Sequence, residues 1–144
     1  MLARESAADK IEDLTNNLLT QRNFDSFDVR KLFGNIFGDS KITFIYPKNL
    51  FVENPEKQIF YVFHGDFISE VKQSMRNYQI DTYPLTIVEM RYQRPENLER
   101  EAIRLELQMN NGLMFTLDSK EDNNEPWRRT FTALIQDIYT NLIS

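Results

Sequence analysis

Before Gly38 the apolar residues of this chain fall at spacings of three and four. After it they fall at every second position, and the helical spacing returns only beyond Asn124. A helix repeats its face every 3.6 residues and a strand every two, so this change of period constrains the fold more than any other feature of the chain. The order it predicts is helices, then a run of strands, then one helix. Turn residues separate the strands and no long crossover helix lies between them, so the sheet should be antiparallel and the class α+β.

The first helix is expected from Ser6 to about Arg22, with Ala7, Ala8, Ile11, Leu14, Leu18 and Leu19 on one face and Ser6 or Glu5 opening it. A second is expected in "SFDVRKLFGNIFG", capped by Asp25 or Ser26, carrying Phe27, Val29, Leu32, Phe33, Ile36 and Phe37, and stopping at Gly38. Strands are expected at about 41–46, 49–54, 58–64, 67–73, 82–92, 102–109 and 113–118. Within this region "FISEVKQSMRNY" also admits a helical reading.

Gly65-Asp66 suits a two-residue type II′ hairpin and Asn111-Gly112 a type I′ hairpin. Across the second, Ile103, Leu105, Leu107, Leu113, Phe115 and Leu117 should share one buried face. Pro47, Pro84 and Pro95 mark turns or strand ends. The last helix, with Asn124 as cap and Pro126 in its first turn, carries Trp127, Phe131, Leu134, Ile135, Ile138, Tyr139 and Leu142. Trp127 is expected to plug the core beside Phe131. The organisation expected is an N-terminal helical segment over 1–40 and an antiparallel β domain with its C-terminal helix over 41–144, together one compact unit.

Seven strands followed by one amphipathic helix with an early tryptophan, "PWRRTFTALIQDIYTNLI", resembles the pleckstrin-homology-like superfold over roughly Lys41 to Ser144. The resemblance rests on the order of elements and on no diagnostic motif. It implies a curved sheet or partly open barrel closed at one corner by the last helix, used mainly as a scaffold for binding. Lipid-binding members carry a basic loop between the first two strands. Here that loop is "YPKN", with Lys48 its single cation, so phosphoinositide binding is not carried over. The two N-terminal helices are extra to that pattern.

Composition removes several chemistries. Seventeen basic residues against 22 acidic give a net charge of −5, which does not suit a general nucleic-acid or anionic-membrane binder. The chain has no cysteine, so there is no disulfide framework, no thiolate metal site and no cysteine nucleophile, a usage that fits a reducing cytoplasm. "MLARESAADKIEDL" has neither the apolar run nor the cleavage site of a signal peptide, and no stretch is long and apolar enough to span a membrane. The expectation is a soluble, cytoplasmic protein.

Candidate chemistry is sparse. His64, in "HGD", is the only histidine, so a two-histidine metal site is excluded and a catalytic triad would depend on this one ring. A structural role is expected for it. The loop "DSKEDNNE" places Asp118, Asp122 and Asn124 at alternate positions, like a calcium loop. However, Lys120 stands at a ligand position, no glycine makes the turn and the closing glutamate is missing, so a solvated loop is expected. Gly-rich phosphate-binding patterns are absent. In "RYQRPENLEREAIRLE", Arg91, Arg94, Arg100 and Arg104 lie among Glu96, Glu99, Glu101 and Glu106, which nearly cancel them, so cross-strand ion pairs are expected rather than an anion site. No catalytic, cofactor-binding or metal-binding residue is assigned, and no cofactor is expected.

The function expected is that of a non-enzymatic protein-binding module, an adaptor or inhibitor with a protein partner. A second possibility is a dimeric chaperone: the small acidic chaperones that escort secreted effectors resemble this chain in size, acidity and a leading helix. A carboxylate-based hydrolase is the third.

Overall fold

A computed structural model describes residues 6–23, 27–51, 58–74, 77–96, 102–122 and 124–144. Among them the chain forms three helices and two antiparallel sheets of four and three strands, an α+β fold. It divides into two compact units, Met1–Tyr83 and Pro84–Ser144.

In the first unit, α1 (Ala7–Asn23) opens with a reciprocal cap. The Asp9 N–H donates to Ser6 Oγ at 3.1 Å and the Ser6 N–H to Asp9 Oδ2 at 3.4 Å. Its buried row is Ile11, Thr15 and Leu19, one residue per turn. Thr15 enters this row because its hydroxyl donates to the Ile11 carbonyl at 2.7 Å and so leaves no polar atom unsatisfied.

A neighbouring row of the same helix, Glu12, Asn16 and Thr20, fixes the start of the second helix. Asn16 Oδ1 accepts the Val29 N–H at 2.7 Å and Thr20 Oγ1 the Phe27 N–H at 2.9 Å. Arg30 donates to Glu12 in an ion pair. Helix α2 (Val29–Phe37) thus begins with its first free N–H groups satisfied from α1 and from its own cap. That cap is Asp28, which accepts from the Lys31 N–H at 3.1 Å; the caps expected from sequence, Asp25 and Ser26, lie outside the described residues.

Beyond a 3-10 turn at Asp39–Lys41, strands β1 (Ile42–Lys48), β2 (Ile59–His64), β3 (Phe67–Ser74) and β4 (Asn77–Pro84) pair in that order. Leu19, Val29 and Phe33 of the helices share one core with Ile42, Ile45, Phe60, Val62 and Val71 of the sheet, so the helices expected over 1–40 pack on the strands. Phe33 meets Phe60 edge-on, with ring centroids 5.3 Å apart. Tyr46, Tyr61, Phe63 and Ile68, on the other face, are buried as well, which is why β2 reads as an unbroken apolar run.

The hairpin between β2 and β3 has the expected two-residue turn: His64 pairs with Phe67, and Gly65 has φ +54° while Asp66 stays at negative φ, the type II′ pattern. Two expected strands change. Of 49–54, Asn49, Leu50 and Phe51 form a turn with Asn49 at φ +58°, and 52–54 lie outside the described residues. The expected 82–92 strand is broken at Leu85 and Thr86, where the Thr86 N–H folds back to the Pro84 carbonyl at 2.8 Å. Its first part belongs to β4, which begins at Asn77, and the alternation Tyr78, Ile80, Thr82 carries that signal. The helical reading of "FISEVKQSMRNY" gives way to β3 and the start of β4.

In the second unit β5 (Ile87–Gln93), β6 (Arg104–Met109) and β7 (Met114–Asp118) form an antiparallel sheet, and α3 (Arg128–Ile143) packs on β6 and β7. Ile103, Leu105, Leu107, Phe115 and Leu117 are buried, as the alternation requires, together with Phe131, Leu134, Ile135 and Ile138 of the helix. Leu113 departs from that set at 40% exposed, and the turn beside it is longer than expected. The Gly112 N–H reaches the Met109 carbonyl at 3.0 Å, and the Met109 N–H the Leu113 carbonyl at 2.8 Å. Only Gly112 has positive φ, at +89°, so the loop is a type I turn closed by a glycine bulge rather than a type I′ pair.

Trp127 also departs from expectation. It ends a 3-10 turn (Glu125–Trp127) and is half-buried, while Phe131, one turn later, is the fully buried aromatic of the helix.

In urea denaturation, Phe131→Ala should therefore cost about 3–5 kcal/mol, and Trp127→Ala clearly less. By the same measurement Asn16→Ala should cost about 1 kcal/mol, the usual value of a lost helix cap.

Candidate functional site

Apolar, aromatic and charged side chains come together in the first unit, where the end of α2 meets the β2–β3 hairpin. A cleft of about 530 Å³ is lined there by Ile36, Phe37, Lys41, His64, Gly65, Asp66, Phe67 and Thr82. Helix α2 delivers Ile36 and Phe37 from its last turn. The hairpin delivers the others except Lys41, from the 3-10 turn, and Thr82, from β4. The Gly65 N–H donates to the Lys41 carbonyl at 3.0 Å, so the hairpin turn is tied to the 3-10 turn.

Aromatic stacking forms the wall. Phe37 lies over the His64 ring with centroids 4.2 Å apart and planes 26° from parallel. Phe67 follows on at 6.0 Å and 23°. Behind the imidazole, His64 Nε2 and Ser69 Oγ share a hydrogen bond of 2.7 Å, and Ser69 Oγ meets Thr82 Oγ1 at 2.7 Å. Burial, and secondarily the Lys41 charge, hold the His64 pKa below its ordinary value of 6.5, so the ring is neutral at pH 7.

This His–Ser pair is not arranged for acyl transfer. Ser69 is completely buried, so no substrate atom reaches its hydroxyl, and among the described residues no carboxylate hydrogen-bonds the ring. The geometry instead holds the imidazole in the cleft wall, stacked beneath Phe37 and largely buried. The ring extends the aromatic stack, and its hydrogen bond to Ser69 links β2 to β3. From sequence alone, "HGD" marked the hairpin, but nothing indicated that Phe37, 27 positions earlier, would cover its histidine.

The other sequence candidates lie elsewhere and are internally satisfied. In the acidic loop, Asp118 Oδ1 accepts the N–H groups of Lys120 and Glu121 at 2.8 and 3.0 Å, and Asp122 Oδ2 accepts that of Asp118 at 2.8 Å. Lys120, Glu121 and Asn124 are exposed, as expected of a solvated loop, but Asp122 is only 5% exposed and its carboxylate closes the turn. Among the described residues no group of three or more His, Asp or Glu is placed to hold a metal ion. In the arginine-rich segment, Arg104 pairs with Glu106 on its own strand at 3.1 Å and with Asp118 across the strands at 3.3 Å, the second being the kind of pair expected there. Arg91 faces Glu89 on its own strand at 3.9 Å, and Arg100, Glu99 and Glu101 lie outside the described residues.

Two antiparallel α+β units, the first with an aromatic cleft at one end of its sheet, define the class of protein. The chain belongs to the family described as "Protein of unknown function (DUF3908)", whose pattern matches residues 10–133. No curated protein and no solved structure matches it. Among the described residues no helix is long and apolar enough to cross a membrane.

A lowered histidine pKa sets the sign of a pH effect. The unfolded chain takes up a proton near 6.5 while folded His64 resists it, so its contribution to stability is complete above that pH and is lost as pH falls through the lower folded value. Chemical denaturation across this window should show the parent losing stability on acidification more steeply than His64→Gln.

Proposed function

We propose that this protein is a soluble, cytoplasmic, non-enzymatic protein-binding module of the adaptor or inhibitor type, and that it engages its partner at the His64 cleft. The observation that carries this reading is the pair of large apolar side chains at the cleft wall, Ile36 and Phe67, exposed at 42% and 45% beside the stacked Phe37 and His64. Isolated exposed apolar residues are ordinary, but two of them framing a concave, aromatic-lined opening have the composition of an interface anchor site. The order of seven strands followed by one helix is the basis of the pleckstrin-homology-like resemblance, and a binding scaffold of that kind accords with the same reading.

The test is affinity capture from the native host with the parent and with an Ile36→Ser, Phe67→Ser double variant, followed by calorimetry with the purified partner. Both positions are exposed, so the variant should melt close to the parent. The expected outcome is one stoichiometric partner whose affinity falls at least about tenfold in the variant. Capture unaffected by the variant, or a dimer that holds unfolded clients, would overturn the assignment.

A further inference from the structure

The cleft is too small for a large macromolecular face and well sized for a chain end. Standard protein interfaces bury about 800 Å² per partner, whereas cavities of about 300–1,000 Å³ take a single compact ligand. At about 530 Å³ this one accommodates one bulky residue and its backbone, not a helix. Its lining sorts into three chemistries. Phe67, 45% exposed, offers a ring to the cleft next to the edge of the Phe37–His64 stack, a surface suited to another aromatic ring in an offset or edge-on arrangement. Lys41 brings a cation, whose charge is felt at the His64 ring. Asp66, at the tip of the hairpin, brings an acceptor.

Among the described residues neither Lys41 nor Asp66 is in an ion pair. A ligand that covered the cleft with apolar atoms alone would strip water from both charges and return nothing.

We propose that the cleft captures the C-terminal aromatic residue of a partner chain, with the ring against Phe37, His64 and Phe67, the terminal carboxylate at Lys41, and the residue's backbone N–H at Asp66. This rests on the reading of the cleft as a protein-binding site. An internal aromatic residue leaves Lys41 without a counter-charge, whereas a chain end supplies ring, anion and donor from one residue. Charge-assisted hydrogen bonds at both ends of that residue then fix its direction.

The experiment is an NMR titration of the full chain with three probes: a short peptide ending in phenylalanine with a free carboxylate, the same peptide amidated, and free L-phenylalanine. Lys41→Met, which keeps the aliphatic stem at an exposed position, serves as the variant, with a thermal melt to confirm that it folds. The expected result is that the carboxylate peptide shifts the signals of Phe37, His64, Gly65 and Phe67, that the amide binds at least tenfold more weakly, and that Lys41→Met removes this difference. Equal binding of acid and amide, tighter binding of free phenylalanine, or no shift in the cleft would overturn the proposal. Removing the last residue of a purified partner without loss of affinity would sink this inference alone and leave the protein-binding reading standing.

Discussion

The start of α2 depends on a polar row of α1, and the cleft depends on the start of α2. A helix begins with N–H groups that have no partner within it. Here Asn16 takes the Val29 N–H, Thr20 the Phe27 N–H just before the helix, and Glu12 holds Arg30 one residue further on. Three residues one turn apart on α1 thereby set both the position and the rotation of α2. With the rotation set, Phe33 turns onto Phe60 in the core, and Phe37, one turn later, lies over His64. The wall of the cleft is thus the far end of a helix whose near end is fixed by hydrogen bonds.

His64 shows how a chemically versatile side chain is given a narrow role. Burial and the neighbouring Lys41 favour its neutral form, and the Ser69 and Thr82 hydroxyls satisfy one side of its ring. A buried polar chain of this kind is stable only when its members are matched, and once matched it locks a single arrangement. What results is a fixed, neutral imidazole stacked beneath Phe37 in the cleft wall. The ionisable groups at the opening, Lys41 and Asp66, are in no ion pair among the described residues.

The second unit uses the same physics with less polar matter in its core. Leu105, Leu107, Phe115 and Leu117 form a continuous apolar layer, and α3 covers it with Phe131, Leu134, Ile135 and Ile138. The connection between sheet and helix is held by carboxylates that cap backbone N–H groups, Asp118 and Asp122 each accepting within the other's turn. An acidic loop that looks solvent-facing in composition is therefore partly an internal brace. Tyr92 stacks on Tyr139 at 4.3 Å, nearly parallel, and ties β5 to the helix.

Periodicity and turn residues by themselves determined most of the described elements: three helices, strands on alternating apolar residues, and two hairpins at Gly65-Asp66 and Asn111-Gly112. Period is a local property of the chain, and a helix or strand must bury the face its spacing creates. Sequence could not decide which of several suitable residues takes a buried place. Thr15 entered a buried row because a carbonyl one turn back accepts its hydroxyl, and Asp122 went inside because a backbone N–H meets it there. Phe131 is fully buried while Trp127, half-buried, ends the 3-10 turn before the last helix, which starts at Arg128, later than the Asn124 cap that composition suggests. The tertiary structure alone assembled the cleft, because Phe37, Lys41, His64 and Thr82 come from four different elements, and only packing brings residues so far apart in the chain onto one surface.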